Sequence, residues 1–413
     1  MSGASDDAIA GALLLSAYGD ALGLAHEAAG LRGEVGDPDG VRLGIVDHFR
    51  DPNPNPWNIW APAELTAGVL GVVSDDTATK IALVEPWLAS LRPDADSFAE
   101  DNFIDWLRHR RPADPVPWRE AVAAEQARQW LHMYDQADGT APPCGEGGAS
   151  PSGSDGSGGD ASSVGDDGDE SPCFYRPGQP AMFGPFLYGG AALAFAGQPV
   201  GVVFDTFADL CRLDQAEGRG VSGVFACLVA AAADREIGEA GEVGLDTWLD
   251  RALDEAFTAW ADADVPHLSE VENRCRWSLD ELGRSSRDLD GRGFLYRMKS
   301  DLYDHPARAP QHDLKPFDPL LQLSQVLAIL GYAGDDRPLA FRLAATSPGD
   351  SDTIAAHLGL ILGAHIGTAA ARSGRLSDAL STVERTTDSL FERETSSRVA
   401  AIRSLRAAIS RPA

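Results

Sequence analysis

The chain has 413 residues, 44% of them hydrophobic, and a formal net charge of −29. This supplies enough apolar material for a sizeable core, while a field of this sign repels phosphate backbones and disfavours broad nucleic-acid binding. No run is expected to reach the ~20 apolar residues of a membrane span. Met1 to Asp7 carries no basic segment ahead of an apolar run, so a cytoplasmic protein is expected. Five scattered cysteines, none in a CxxC pair, are expected as buried thiols rather than a disulfide framework. Arginine supplies nearly all the positive charge; Lys80, Lys299 and Lys315 are the three lysines.

Taken in chain order, helical periodicity dominates. Ile9, Leu13, Leu14, Ala17, Ala21 and Leu22 recur at three- and four-residue spacing. Gly19-Asp20-Ala21-Leu22-Gly23 ends that pattern, where a glycine stop and a capping aspartate are expected. Ile81, Val84, Leu88 and Leu91 form a second pattern, opened by Ser74-Asp75-Asp76-Thr77. Residues 139–172 are rich in Gly, Ser and Asp and cannot bury enough surface to offset chain entropy, so a disordered acidic insert is expected there. Gly201–Phe204 alternates too briefly to define a strand. Further helical patterns cover Val221–Ala233, Trp248–Trp260, Leu320–Leu330, Ile354–Ile366 and Arg398–Ile409. The expected architecture is a compact all-α bundle, read as one domain over 1–413 with the insert looping from one face.

Two segments combine acids with hydroxyls at a helix start. Ser74 is a good N-cap, and Asp75 and Asp76 suit the positive end of the helix dipole. Pro348-Gly349-Asp350-Ser351-Asp352-Thr353 opens the helix from Ile354 in the same way, with Gly349 allowing a tight turn. Each alone reads as capping. Together they suggest one site, because four carboxylates meeting in a helical core are costly without a cation. The oxygen donors suit Mg²⁺, Mn²⁺ or Ca²⁺. The nine histidines show no clustered ligand spacing, and His357 and His365 within a helix are expected as core or rim residues. No P-loop, Rossmann or Gly-x-Ser-x-Gly signature occurs.

In order, GDALG with Glu27 following, Ser-Asp-Asp, and Gly-Asp-Ser-Asp-Thr opening a late helix resemble the ADP-ribosylglycohydrolase family. The resemblance spans residues 19 to 353. It implies an orthogonal all-α bundle with two Mg²⁺ or Mn²⁺ ions, held by Ser74, Asp75, Asp76, Asp350, Asp352 and Thr353. Glu27, Asp75 and Asp352 would be catalytic, with Glu27 near the scissile bond. The substrate would be an ADP-ribosylated protein or small molecule. The family's phosphate loop, usually Gly-Asn-Gly with a following Met-Arg, matches best at Gly178-Gln179-Pro180-Ala181-Met182-Phe183. Gly178, Gln179 and Phe183 are then the substrate-side candidates. Pro180 removes an N–H donor and Phe183 stands where arginine is usual, so weaker diphosphate binding is expected. Phe183, Phe186 and Tyr188 are candidates to stack an adenine, core packing being their commoner fate. The competing reading is a non-catalytic ADP-ribose-binding or structural member of the same fold, for which lens crystallins resembling this family are the precedent. Ionisation of a prenyl diphosphate is disfavoured, since Asp76 is followed by Thr-Ala-Thr-Lys rather than completing DDxxD.

Overall fold

The computed structural model describes residues 5–44, 73–74, 77, 80–81, 85, 88, 100–109, 131, 188–210, 216–234, 244–308, 315–373, 376–391 and 394–409. Numbered in chain order, the described α-helices are α1 (Asp6–Gly23), α2 (Glu27–Leu31), α3 (Glu100–His109), α4 (Val200–Leu210), α5 (Ala216–Asp234), α6 (Leu245–Asp262), α7 (Leu268–Trp277), α8 (Gly291–Met298), α9 (Pro319–Ala333), α10 (Arg337–Ala345), α11 (Ser351–Arg372), α12 (Ser377–Phe391) and α13 (Thr395–Ile409). Thr77, Lys80, Ile81, Glu85 and Leu88 are also helical. No strand occurs among the described residues, and the fold is all-α. Gly201–Phe204 lies inside α4. The acidic insert expected at 139–172 lies outside the described residues.

The centre of the bundle is the pair α1 and α11. In α1 every residue except Asp6, Asp7 and Ala10 is buried, and in α11 every residue from 351 to 367 is buried. Helices that are apolar on all sides belong in a core. By length and composition α11 could cross a membrane, which corrects the expectation from the sequence, although 83% of its apolar window is buried inside this protein. The two helices run antiparallel with their backbones in contact. A Cβ on Gly19 would stand 2.0 Å from the Ala355 carbonyl oxygen, and one on Gly359 would stand 2.1 Å from that of Leu15. Small residues four apart on both helices make this approach possible.

Gly19→Ala is therefore expected to cost stability at or above the upper end of the ~1–3 kcal/mol seen for overpacking. Gly201→Ala in α4, whose Cβ would meet nothing within 4 Å, should be neutral or gain up to about 1 kcal/mol of helix propensity. Urea unfolding of the two variants checks this, and equal stabilities would contradict the close packing.

Around this pair, α10, α12 and α13 pack on α1, while α5, α9 and α10 pack on α11. Asp318 caps α9 by accepting the Leu321 N–H at 2.7 Å, and Pro319 occupies the first turn. α9 is buried from Pro319 to Tyr332, including Gln322, Ser324 and Gln325. The histidines of α11 face the core, His357 with its ring 4.8 Å from Phe225 and His365 4.9 Å from Trp248. Cys227 and Cys275 are buried free thiols, and burial pushes the Cys275 thiol up to about 12. Such thiols are inert, in keeping with the expectation for those two.

Candidate metal centre

The site forms where the C-terminal end of α1 meets the N-terminal end of α11. α1 stops at Gly23, and a turn closed by the Leu24 N–H on the Asp20 carbonyl (2.9 Å) and the His26 N–H on that of Gly23 (2.8 Å) leads into α2. Glu27 is the first residue of α2. A Cβ at Gly23 would lie 2.5 Å from Cα of Asp352, so glycine there lets the two backbones meet beside the acids. The Ser351 hydroxyl donates to the Gly23 carbonyl at 3.1 Å across the same junction.

The turn into α11 is held from two sides. Gly349, at φ 107°, adopts a conformation that L side chains avoid, and its N–H donates to the Gly30 carbonyl at 2.7 Å. From α9, the Gln325 amide donates to the Pro348 carbonyl at 2.6 Å and the Gln322 amide to Asp350 Oδ2 at 3.3 Å. Asp350 occupies the N-cap position of α11, yet its side chain makes no capping bond. Asp352 Oδ1 accepts the Thr353 N–H at 3.0 Å.

The result is a convergence of three carboxylates. One oxygen each from Glu27, Asp350 and Asp352 lies within 4.8 Å of the others. Asp350 and Asp352 are buried and Glu27 is half-buried. The α11 N-terminus offsets part of this charge. Three clustered carboxylates nevertheless leave room for a cation, and an all-oxygen donor set suits a hard divalent one. A second group, Glu217, His267 and Glu270, has ligand atoms equally close, but His267 and Glu270 are exposed surface residues.

Asp20 enlarges the picture. It is fully buried within α1, and rather than capping its own helix it reaches a segment 54 residues away. Its Oδ1 accepts the Ser74 N–H at 2.8 Å and its Oδ2 the Thr77 N–H at 3.0 Å. Burial first, and then the neighbouring Asp352, push its carboxyl up to about 6, against the opposing pull of the Thr77 and Ser74 donors. Asp20 thereby anchors Ser74 and Thr77 near Asp352.

Of the residues singled out in the sequence, Glu27, Asp350 and Asp352 come together, with Thr353 buried in the first turn of α11 and Ser74 buried against Asp20. Asp75, Asp76, Gly178, Gln179 and Phe183 lie outside the described residues. Tyr188, an aromatic candidate for base stacking, is 2% exposed and belongs to the core. Sequence reasoning missed Asp20, Gln322 and Gln325 as builders of the site. The available signal was polarity inside otherwise apolar helices, with the two glutamines three residues apart and so on one face of α9.

The model of the ADP-ribosylglycohydrolase family matches residues 1–400. A solved structure described as an ADP-ribosylglycohydrolase-related protein complex is similar at 18% identity with a TM-score of 0.50, covering 97% of this chain and 98% of that one. At that identity the likeness concerns the fold. No curated protein matches the sequence.

Proposed function

Because the chain belongs to the ADP-ribosylglycohydrolase family, a family of glycohydrolases acting on ADP-ribosylated substrates, we propose that it hydrolyses the bond joining ADP-ribose to a protein side chain or small acceptor. The observation that carries this reading is the meeting of the Glu27, Asp350 and Asp352 carboxylates at one helix junction. In this reading Asp350, Asp352 and Thr353 hold divalent cations together with Ser74, Asp75 and Asp76. Two Mg²⁺ or Mn²⁺ ions would complete the set. Bound there, the cations supply Lewis acidity and offset the substrate's negative charge.

The chain's own groups do the rest. Glu27 is the least buried of the three acids, and its carboxylate is assigned as general base toward water. The water oxygen adds to the anomeric carbon as the bond to the acceptor nitrogen or oxygen breaks. The water gives up a proton and the acceptor leaves carrying one. Positive charge develops on the ribosyl ring in an oxocarbenium-like transition state, which nearby carboxylates stabilise. Asp20 keeps Ser74 and Thr77 near Asp352, and Gln322 orients Asp350.

The test is product analysis after incubating the protein with arginine-, serine- and nucleic-acid-linked ADP-ribose, in Mg²⁺, in Mn²⁺ and in chelator. Release of ADP-ribose from at least one conjugate, lost in chelator, is expected. Tight binding of ADP-ribose with no release from any conjugate would replace this reading with the non-catalytic one.

A further inference from the structure

Only three of the 34 basic residues are lysines, and two of them meet at one tyrosine beside the acidic centre. Lys315 Nζ stands 3.8 Å from the centroid of the Tyr303 ring, and Lys299 Nζ 5.7 Å from it. Asp304 lies between them, with Oδ1 3.1 Å from Lys315 and Oδ2 2.9 Å from Lys299. Lys299 also donates to the Gly33 carbonyl at 2.5 Å. An ammonium is compact and points its donors in three directions, so Lys299 can serve the Gly33 carbonyl, the Asp304 carboxylate and the Tyr303 ring face at once.

The ring those cations hold is 4% exposed and sits between two turns. On one edge is Gly33, at φ 70°, where a Cβ would be 3.0 Å from Tyr303 Cε1. On the other edge is Gly349, where a Cβ would be 3.3 Å from Tyr303 Cε2. Gly33 ends the short segment that begins with Glu27, and Gly349 immediately precedes Asp350. Between them the Gly349 N–H on the Gly30 carbonyl is a direct tie, and the Gly36 N–H on the Thr346 carbonyl (3.0 Å) is another. The ring therefore acts as a spacer between the two backbone turns whose carboxylates converge.

We infer that Lys299 and Lys315, through Tyr303, are positioning residues that set the separation of Glu27 from Asp350 and Asp352, and so tune the affinity of this cluster for a divalent cation. The inference rests on the reading of the cluster as a metal centre. None of the three side chains needs to touch the cation. Their effect passes through the glycine turns, in the way that groups hydrogen-bonded behind metal ligands commonly tune a site.

Mn²⁺ binding by calorimetry, on full-length wild type, Lys299→Met, Tyr303→Phe and Arg32→Ala, tests this, with amide exchange at Gly349 followed in the metal-free proteins. Lys299→Met leaves Asp304 paired with Lys315, and is expected to weaken Mn²⁺ binding about 10-fold and to speed exchange at Gly349. Tyr303→Phe keeps the spacer and should retain wild-type affinity. So should Arg32→Ala, whose ion pair with Glu34 is exposed. If Lys299→Met fails to fold, Lys315→Met carries the same expected direction. Wild-type affinity with unchanged exchange in the lysine variant overturns the clamp and leaves the metal reading standing. A wild type that binds no Mn²⁺ overturns both.

Discussion

Replacing Asp352 by asparagine is expected to abolish stabilisation of the protein by Mn²⁺ or Mg²⁺ and to lower hydrolysis by at least about 100-fold. Loss of a group that merely supports a metal ligand already costs about 10- to 100-fold, so loss of a ligand's charge should exceed that. The asparagine amide keeps the size of the side chain and retains an oxygen that can accept the Thr353 N–H, so the tight packing on Gly23 should survive. The variant also makes a second, opposite prediction. In chelator, removing one of three clustered carboxylates relieves repulsion and takes a charge away from buried Asp20, so metal-free Asp352→Asn should unfold at the same temperature as wild type or higher. Thermal unfolding with and without Mn²⁺, alongside the rate of ADP-ribose release, checks both halves. Full metal stabilisation of the variant would remove Asp352 from the centre.

Arg398→Ala is expected to cost about 3–5 kcal/mol, the usual penalty for leaving one member of a buried ion pair alone. Arg398 on α13 meets Glu85 through Nη2 to Oε1 at 2.7 Å and Nε to Oε1 and Oε2 at 2.8 and 3.1 Å, with side chains 4% and 8% exposed. The partners are 313 residues apart, and Glu85 is itself helical. The pair thus fastens α13 to a residue from the first quarter of the chain. Replacing both partners by apolar residues of similar volume should recover most of the loss, because a buried pair seldom outperforms good packing. Urea unfolding of the single and double variants decides the matter. A single-variant loss under about 1 kcal/mol would mean that solvent reaches Glu85 as in a surface pair.

The helices that were legible in the sequence are those with unbroken periodicity. Leu13, Leu14, Ala17 and Leu22 mark α1, and Ile354 to Ile366 marks α11, because burial on all sides demands apolar residues throughout. The stretch from Leu268 to Tyr303 was not legible. There α7 and α8 are short, rich in charge and interrupted by π-helical turns at Ser278–Gly283 and Lys299–Tyr303, which shift the register that periodicity relies on. At the candidate site, Asp350 and Asp352 could be found because their chemistry lies within one short motif. The sequence alone makes Asp20 a cap of its own helix, because nothing local reveals that its acceptors serve Ser74 and Thr77. Gln322 and Gln325 are hidden for the same reason: their partners, Asp350 and Pro348, belong to the turn that leads into α11.

The antiparallel junction of α1 with α11 also governs how the molecule can be made. Gly23 and Ser351 are joined across 328 residues of chain. At a synthesis rate of about 5–20 residues per second, α1 waits roughly 15–65 s for the helix that covers it. During that interval its apolar surface has no native partner from α11, and backbone contacts of such long range form late and slowly. The nascent chain is therefore vulnerable to aggregation at its first helix until translation has passed Arg372. Chaperone capture of truncated nascent chains should be strongest for lengths that include α1 and stop short of α11.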